Sequence, residues 1–453
     1  DFFYHGVQNK SSPRQYQNPT PAELQPVINL FQVGHSERAI TLASELLNKF
    51  PSSSVLLNLK GACHALLKQY DEALTCFKIL LKYNSENAHA HYNIGQVLRD
   101  TGALESAIIS FAKATEIDSN YAMAFNAKAT CHYKMGDLES AKSGYEQALS
   151  IKPDLSEACN NLSLIFKDLG DLTTAKNYLL RAIKIDATYV EAHYNIGNIF
   201  SRLGDHRSAA RSYKKAAALQ PGHEGANYRL ASLSGQSLGE QRISRAPKSY
   251  VQSLFDSYAS SFEESLIDNL DYQIPERLVE LVDARRIKKT PLSILDLGCG
   301  TGLIGKALKG PKNKLVGIDL SRAMLSLANE KNVYDELIQI DILDYLKEAQ
   351  LNFDCFIASD VFIYIGDLDE VFSLIRGRNK RNGQLVFSTE HKQGDDYFLE
   401  ESGRFSHSRK YIQTLCDRFD FELSAFHTTT LRKDKGQSVR GGVYLLDFKV
   451  TQL

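Results

Sequence analysis

Small side chains recur every 34 residues through the first half of the chain. One series of alanines runs without a break through Ala39, Ala73, Ala107, Ala141, Ala175 and Ala209. A second series of mostly small residues contains Gly61, Gly95, Ala129, Ser163, Gly197 and Ala231. A third places glycine near a turn, at Gly34, Gly102, Gly136, Gly170 and Gly204. This period predicts a repeated helix–turn–helix unit in which small side chains let the paired helices approach closely.

Bulkier residues follow the same period and complete the pattern. Aromatic or aliphatic residues recur in the second helix at Phe77, Phe111, Tyr145, Leu179 and Tyr213, and prolines follow that helix at Pro51, Pro153 and Pro221. These positions resemble the tetratricopeptide-repeat pattern, except that its leading Trp is missing from a chain without any Trp. The resemblance implies an all-α solenoid of six repeats with a capping helix over residues 20–235. Residues 1–19 include a polar segment with two prolines, and this composition predicts a flexible lead.

Asparagines recur on the first helix of several repeats. They occupy the sixth position or the one before it, at Asn93, Asn126, Asn160, Asn161 and Asn195. A carboxamide both donates and accepts hydrogen bonds, so such a row can bind the backbone of an extended peptide. The row resembles the asparagine ladder in the repeats of O-linked N-acetylglucosamine transferases. We expect a protein or peptide partner there, and the alternative is packing or self-association into a homo-oligomer.

The hydrophobic pattern changes after Pro291 to short apolar runs that alternate with helical stretches. This alternation is typical of a parallel α/β sheet. The runs predict strands at 293–297, 314–318, 337–341, 353–359, 384–389, 421–429 and 442–450. A short polar segment with glycines, residues 236–246, is the expected linker between the two halves.

A glycine-rich turn directly follows the first of these strands. The turn contains Gly298, Cys299, Gly300 and Gly302. Glycines let the backbone come close to a ligand while the chain turns from strand to helix. Asp319 ends the next strand, where its carboxylate can accept hydrogen bonds from both hydroxyls of a ribose. The alternative is a dinucleotide site, because Gly300, Gly302 and Gly305 also satisfy the weak GxGxxG signal.

The surroundings of this turn favour a methyltransferase. Asp296 stands two residues before Gly298, and the run Leu-Asp-Leu-Gly-Cys-Gly-Thr-Gly resembles motif I of class I methyltransferases. The resemblance implies a Rossmann-like domain with a mostly parallel seven-stranded sheet over residues 247–453. It also implies S-adenosylmethionine as the cofactor and S-adenosylhomocysteine as the product. The motif residues that would surround the cofactor are those of the turn together with Asp296, Asp319, Leu320, Asp341, Ile342 and Asp360.

An aromatic helical segment precedes the sheet, and we expect a helical lid over residues 247–290. It resembles the LFDxYAxxF lead of mostly bacterial proteins described as predicted methyltransferases with tetratricopeptide repeats. The resemblance implies that this helix folds over the cofactor. Tyr250 and Tyr258 then either contact the cofactor or join the core, whereas Phe255 and Phe262 are expected in the core.

Polar residues near the carboxyl edge of the sheet are candidates for the chemistry. An amine or carboxyl acceptor must arrive unprotonated, and Asp360, His391 and His407, together with Glu390, are the candidate bases. Asp360 could instead help to hold the cofactor. Arg404 could bind an acidic acceptor or lie in a surface salt bridge, and His407 could line the substrate pocket or cap a helix.

Charge and composition narrow the classes of partner. Lysine and arginine number 53 against 54 aspartates and glutamates, so no overall basic field attracts a polyanion or an anionic membrane. The (Asp/Asn)-Pro-Pro-(Tyr/Phe) sequence of enzymes that methylate base amino groups is missing, and we expect no nucleic acid. The 7 cysteines form no CxxC pair, which favours buried thiols and no metal site. Without an apolar run of about 18 residues, a cytoplasmic location is expected, and the missing initial Met leaves room for an upstream segment.

Three functions remain open on the sequence alone. The first is a methyltransferase that modifies a nitrogen or oxygen nucleophile of a protein or peptide recruited by the repeats. The second is a small-molecule methyltransferase whose repeats assemble an oligomer or dock a partner. The third is a repeat scaffold whose methyltransferase fold binds cofactor without turnover. The first is our prediction, because the asparagine row favours it.

Overall fold

A computed structural model describes residues 18–234, 237–238, 241–259, 262–263, 273–284, 291–308, 313–434 and 437–449. The chain divides into two compact units, residues 1–195 and residues 196–453. The division falls inside a repeat helix, so the helices that follow it group with the α/β part of the chain. The domain boundaries given above from the sequence, including the end of the repeats at residue 235, stay a prediction.

Unit 1 consists of helices joined by short connections. They are α1 (Pro21–Gln32), α2 (Ser36–Lys49), α3 (Ser54–Leu66), α4 (Tyr70–Tyr83), α5 (Ala88–Asp100), α6 (Leu104–Ile117), α7 (Ala122–Lys134), α8 (Leu138–Ile151), α9 (Ser156–Asp168), α10 (Leu172–Ile185) and the start of α11 (Val190–Arg202). The first helix is fixed at its start because the side chains and amides of Thr20 and Glu23 hydrogen-bond reciprocally. The predicted all-helical repeat array is confirmed.

The small residues of the 34-residue period lie where paired helices touch. A Cβ atom at Gly61 would lie 2.6 Å from the Phe77 ring, and one at Gly95 would lie 2.6 Å from the Phe111 ring. Lys68 interrupts the glycine series at the turns, yet it adopts the same left-handed backbone with φ +58°. The period therefore marks the places where one helix leaves no room for a side chain on its partner.

Unit 2 continues from α11 and contains the sheet. Its helices are α12 (His206–Leu219), α13 (Glu224–Ser234), α14 (Lys248–Tyr258), α15 (Ile274–Ala284), α16 (Leu303–Ala307), α17 (Arg322–Glu330), α18 (Ile342–Glu348), α19 (Asp369–Arg378) and α20 (Arg409–Arg418). A small ribbon pairs β1 (Ser237–Leu238) with β2 (Gln241–Arg242). The main sheet contains β3 (Ser293–Leu297), β4 (Lys314–Asp319), β5 (Glu336–Gln339), β6 (Cys355–Ala358), β7 (Gln384–His391), β8 (Tyr397–Leu399), β9 (Phe405–His407), β10 (Phe421–Asp434) and β11 (Gln437–Phe448).

The main sheet is mostly parallel, as predicted. Its hydrogen-bonded order is β10-β11-β7-β6-β3-β4-β5, and only β11 runs antiparallel to its neighbours in this series. Two short strands join it beside β7, where β9 pairs parallel with β7 and β8 pairs antiparallel with β9. The described residues thus form a sheet of 9 strands, and the predicted number of seven is wrong. Strands of three residues are too short to produce a recognisable alternation of apolar and polar positions.

Most predicted strands lie where the sequence indicated. The first, second, fourth and fifth correspond to β3, β4, β6 and β7. The third ends earlier than predicted, at Gln339, and Asp341 instead caps α18 by accepting a hydrogen bond from the Leu343 amide at 3.2 Å. β10 and β11 are longer than predicted because they pair with each other along nearly their whole length.

The core of unit 2 includes residues from the repeat side of the sequence. Phe387 and Leu445 are fully buried on the sheet. Tyr228 and Ala231 of α13 belong to the same buried cluster as Phe387, so α13 packs into the α/β core as well as against α12. All 7 cysteines are buried free thiols, as predicted. In the part of the chain that the structure describes, every helix is too short or too polar to cross a membrane.

Candidate functional site

A cavity lies at the carboxyl ends of the central parallel strands. Residues that follow β3, β4, β5 and β6 line it on one side, and residues around α14 line it on the other. Eight residues predicted for cofactor or substrate lie on its wall, namely Gly298, Gly300, Asp319, Leu320, Asp341, Ile342, Asp360 and Arg404. The topology brings them together because parallel strands present all their carboxyl ends at one edge of the sheet.

The glycine turn after β3 comes very close to its neighbours. Gly298 has φ +70°, and a Cβ atom there would lie 2.5 Å from Val361 Cγ2. A Cβ atom at Gly300 would meet nothing within 4 Å, so the backbone of Gly300 faces open space at the cavity. Cys299 and Gly302 are absent from the described wall, since Cys299 is buried and Gly302 caps α16 in a left-handed conformation.

Asp319 is fixed at the end of β4 by backbone amides. Its Oδ2 accepts a hydrogen bond from Gly300 N at 2.9 Å, and its Oδ1 accepts one from Ser321 N at 2.8 Å. Burial raises the pKa of the Asp319 carboxyl although these two amides lower it. Each oxygen of a carboxylate can accept a second hydrogen bond, so this side chain can still receive two donors from a ligand.

Asp341 is held by cations beside the cavity. Arg245 Nη2 donates to its Oδ2 at 2.7 Å, and Lys248 Nζ lies 3.3 Å from its Oδ1. Burial would raise the pKa of Asp341, but Arg245 and Lys248 together lower it. A ligand that donates a hydrogen bond to Asp341 would therefore compete with these contacts. Ile342 and Leu320 offer apolar surface on the wall of the cavity that suits the flat ring of a nucleobase.

Asp296 lies behind the glycine turn, outside the described wall of the cavity. It is 1% exposed, and Tyr334 Oη donates to its Oδ2 at 2.6 Å. Its Oδ1 has no hydrogen-bond partner among the described residues. Burial raises the pKa of this carboxyl to about 7, against the opposing effect of the Tyr334 hydrogen bond. The structure thus places Asp296 as a support of the turn.

A cluster of two carboxylates and two guanidinium groups closes one end of the cavity. Arg432 pairs with Glu390 and lies 3.5 Å from Asp360 Oδ2 through its Nη1. Arg404 Nη1 lies 3.9 Å from Glu390 Oε1. Burial raises the pKa of Glu390, and the two arginines oppose this shift. Arg432, which only the three-dimensional structure identified, is 5% exposed and lines the cavity with Asp360 and Arg404.

Asp360 has a strained backbone that aims it at this cluster. Its φ is +55°, a conformation that non-glycine residues rarely adopt. Ser388 Oγ accepts a hydrogen bond from Asp360 N at 2.9 Å and donates one to Asp360 Oδ1 at 2.8 Å. Asp360 follows the buried strand β6 by two residues, at the carboxyl edge of the sheet. This position made it a candidate in the sequence.

Aromatic side chains cover the cavity on the side of α14. Phe255, Phe262 and Tyr364 lie on the wall, with the Phe255 and Tyr364 rings 5.5 Å apart. Phe255 also packs against the buried core of unit 2, so lining the cavity and packing on the core are combined in this side chain. Tyr250 is absent from the described wall and packs on Tyr228 instead, with ring centres 5.1 Å apart. The side chain of Tyr258 lies outside the described residues.

The two candidate histidines do not reach the cavity wall that the structure describes. His407 is fully buried, where its Nδ1 meets Thr389 Oγ1 at 2.5 Å and its Nε2 meets the carbonyl oxygens of Ile365 and Gly366 at 3.0 Å. Burial lowers the pKa of His407 to about 4. His391 lies on a shallow surface beside Arg409. Because both ring nitrogens of His407 already make hydrogen bonds, the ring is poorly placed to take a proton from a substrate. These buried contacts favour a structural role.

The asparagines of unit 1 bond to one another. Asn195 Nδ2 donates to Asn160 Oδ1 at 2.8 Å, Asn160 Nδ2 to Asn161 Oδ1 at 3.3 Å, and Asn161 Nδ2 to Asn126 Oδ1 at 3.5 Å. Asn93 bonds separately, donating to Asn58 Oδ1 at 2.7 Å. The row thus links successive first helices of the repeats, which matches the packing alternative that the sequence left open.

Comparison with known proteins agrees with both halves of the fold. Residues 288–435 match a family model described as a methyltransferase domain. Residues 67–122, 124–155, 164–204 and 190–223 match models described as tetratricopeptide or TPR repeats.

Three curated methyltransferases are each similar to about a third of this chain. The malonyl-(acyl-carrier protein) O-methyltransferase of Halalkalibacterium halodurans is 34% identical over 162 residues, which are 34% of this chain and 58% of that protein. The protein of the same name from Legionella pneumophila is 32% identical over 166 residues, which are 36% of this chain and 56% of that protein. An uncharacterized methyltransferase of Schizosaccharomyces pombe is 30% identical over 168 residues, which are 32% of this chain and 59% of that protein. The chain thus spans less than two thirds of the length of each of these relatives. Together, the family models and these relatives identify the chain as one that carries tetratricopeptide repeats followed by a class I methyltransferase domain.

Proposed function

We propose that this protein transfers a methyl group from S-adenosylmethionine to an acceptor bound in the cavity. The observation that carries the proposal is the position of Asp319 beside the glycine turn. Its two carboxylate oxygens are fixed by hydrogen bonds from the Gly300 and Ser321 amides. A rigid carboxylate at this strand end suits the two hydroxyls of a ribose. The open space beside Gly300 suits the close approach of a nucleoside to the backbone.

The residues on the wall of the cavity fit the cofactor. Leu320, Ile340 and Ile342 provide apolar surface for a purine, next to the ribose site at Asp319. Phe255 and Phe262 cover the opposite side, where they exclude water from the reacting centre. When it is bound, S-adenosylmethionine supplies a methyl group that its sulfonium already activates, so the protein needs little covalent chemistry of its own.

The polar end of the cavity suits the acceptor. Asp360 and Arg404 both face this space. Asp360 is the carboxylate that would take a proton from an amine or hydroxyl acceptor, while an acceptor carboxylate needs no base and would pair with Arg404. Glu390 and Arg432 fix the orientation of these two side chains, since Glu390 lies beside Arg404 and Arg432 lies beside Asp360.

We assign the acceptor to a protein, with an oxygen or nitrogen atom as the nucleophile. Two of the similar curated proteins are named for methylating an oxygen of a group carried on a protein, which favours this class for the present chain. The repeats would supply the docking surface for such a partner. The second candidate is a small-molecule acceptor with repeats that serve assembly, and the mutual hydrogen bonds of the asparagines favour it.

Binding of S-adenosylhomocysteine tests the cofactor site. Calorimetry on the wild type should give saturable binding, and Asp319→Ala should weaken it by at least about 100-fold, since two hydrogen bonds to a charged group are lost. Asp354→Ala is the matched control because Asp354 also binds a backbone amide, that of Ser293 at 2.8 Å, but at the amino end of the strands. A folded wild type that does not bind would contradict the proposal.

Labelled S-adenosylmethionine with cell extract tests the acceptor class. Label that migrates with protein supports the protein acceptor, and label confined to small molecules supports the second candidate. Mild base separates the atoms, because a methyl ester of a carboxylate is released as methanol whereas an N-methyl group is retained. Asp319→Ala should abolish the labelling.

A further inference from the structure

We infer that α13 positions the acceptor end of the cavity through Tyr228 and Arg229, which hold the turn at residues 400–403 that sets Arg404. This inference rests on the proposed function for its consequence, but its structural part is independent of it. Tyr228, Arg229 and the turn all belong to unit 2. Neither side chain lies on the described wall of the cavity, so both act through Arg404 as positioning residues.

Tyr228 binds the turn by its hydroxyl. Its Oη donates to Gly403 O at 2.8 Å, and the side chain is 2% exposed. The ring packs between Tyr250 and Phe405, at centre distances of 5.1 and 6.5 Å. A phenylalanine would fill the same space, so the hydroxyl contributes the specific contact with the backbone of the turn.

Arg229 binds the neighbouring carbonyl. Its Nη1 donates to Glu401 O at 3.3 Å and its Nη2 to Ser201 Oγ at 2.9 Å, with the side chain 6% exposed. Gly403 has φ +78°, and a Cβ atom there would overlap Arg229 Nη1. The guanidinium thus occupies the space that any other residue at position 403 would need for its side chain.

The turn transmits this position to Arg404. Glu400 N donates to Arg404 O at 2.8 Å, and Gly403 N donates to Glu400 O at 2.9 Å, which closes the turn on itself. On the other side, Phe405 is fully buried at the start of β9. Arg404 therefore has little backbone freedom while the turn is held. If the turn loosens, the guanidinium loses its fixed distance to the acceptor and to Glu390.

Hydrogen exchange on the full-length chain tests the structural part. In Tyr228→Phe, the amides of residues 397–408 should exchange roughly 3- to 10-fold faster, because one buried hydrogen bond is lost. Arg229→Met should do the same, and Arg229→Lys should restore part of the protection because an ammonium can still donate to Glu401 O. Tyr145→Phe is the matched control, since it removes a buried hydroxyl bond to Thr130 Oγ1 at 3.1 Å in unit 1. Unchanged exchange of the turn in both Tyr228→Phe and Arg229→Met overturns the inference.

Kinetics test the consequence for methyl transfer. With the extract fraction in which labelling located the acceptor, prepared again without prior methylation, Tyr228→Phe should raise the apparent KM for the acceptor roughly 3- to 10-fold with kcat within about twofold, and the affinity for S-adenosylhomocysteine should not change. In an Arg404→Gln background the same substitution should have no further effect on KM. An unchanged KM, or an equal loss in both backgrounds, overturns the positioning role. An extract without labelled product counts against the proposed function, while the exchange measurement still decides whether α13 holds the turn.

Discussion

Tyr334 Oη donates a hydrogen bond to Asp296 Oδ2 at 2.6 Å and accepts one from Gly305 N at 3.1 Å. This phenol joins the buried acid behind the glycine turn to the first turn of α16. Because Asp296 Oδ1 has no partner among the described residues, the stability of the glycine turn depends strongly on this one contact.

Tyr334→Phe should destabilise unit 2 by about 1–3 kcal/mol. The ring volume is kept, but the Gly305 amide and the Asp296 carboxyl each lose a buried hydrogen-bond partner. Urea denaturation followed by circular dichroism measures the change. A free energy of unfolding equal to that of the wild type would show that water replaces the phenol.

Asp296→Asn should change how stability depends on pH. The folded pKa of about 7 lies above the ordinary value of about 3.9, so this acid binds a proton more tightly in the folded state. Its contribution to stability is therefore complete at low pH and is lost as pH rises through 7. Between pH 5 and pH 8 the variant should gain roughly 3 kcal/mol relative to the wild type. Denaturation curves at both pH values check this, and parallel behaviour of the two proteins would contradict it.

Gly298→Ala should cost more stability than Gly300→Ala. Both positions have positive φ, which costs an alanine about 1–2 kcal/mol, but only the Gly298 variant also places a methyl group 2.5 Å from Val361 Cγ2. Adding Val361→Ala should recover part of the loss at position 298 and none at position 300. Thermal denaturation of the single and double variants makes the comparison. Equal losses at the two glycines would mean that strain alone matters.

Arg432→Met should destabilise unit 2 by about 3–5 kcal/mol. The substitution leaves Glu390 and Asp360 beside each other without their buried cation. The pKa of Glu390 is already raised by burial and should rise further, so the loss should be larger at pH 8 than at pH 5. Adding Glu390→Gln should recover part of the stability at pH 8. A loss that is the same at both pH values would show that the effect is steric.

Asn160→Ala should cost unit 1 about 1–3 kcal/mol, and more than Asn93→Ala. Asn160 is 5% exposed and bonds to both Asn161 and Asn195, whereas the described bond of Asn93 is the one to Asn58. Denaturation of the two variants gives the ranking. If the row contacts a peptide instead, Asn160→Ala should lower capture of a labelled protein acceptor with little change in stability.

Local and periodic features of the fold were readable from the sequence. The 34-residue period records contacts between neighbouring helices, and the glycine turn between β3 and α16 is a local backbone requirement. Asp319 and Asp360 could be located because Asp319 ends one buried strand of the parallel sheet and Asp360 follows another. The short strands β8 and β9 gave no such pattern, since three residues cannot establish an alternation.

The sequence by itself determined the two architectures and the carboxylate at the end of β4, because spacing along the chain fixes which face of a helix or which end of a strand a residue occupies. Only the tertiary structure decided which polar side chains share a space. It brought Arg432 from the distant β10 to Asp360, buried His407 between backbone carbonyls, and joined α13 to the turn before Arg404. These outcomes depend on contacts between residues far apart in sequence, and a single chain carries no local pattern for such contacts.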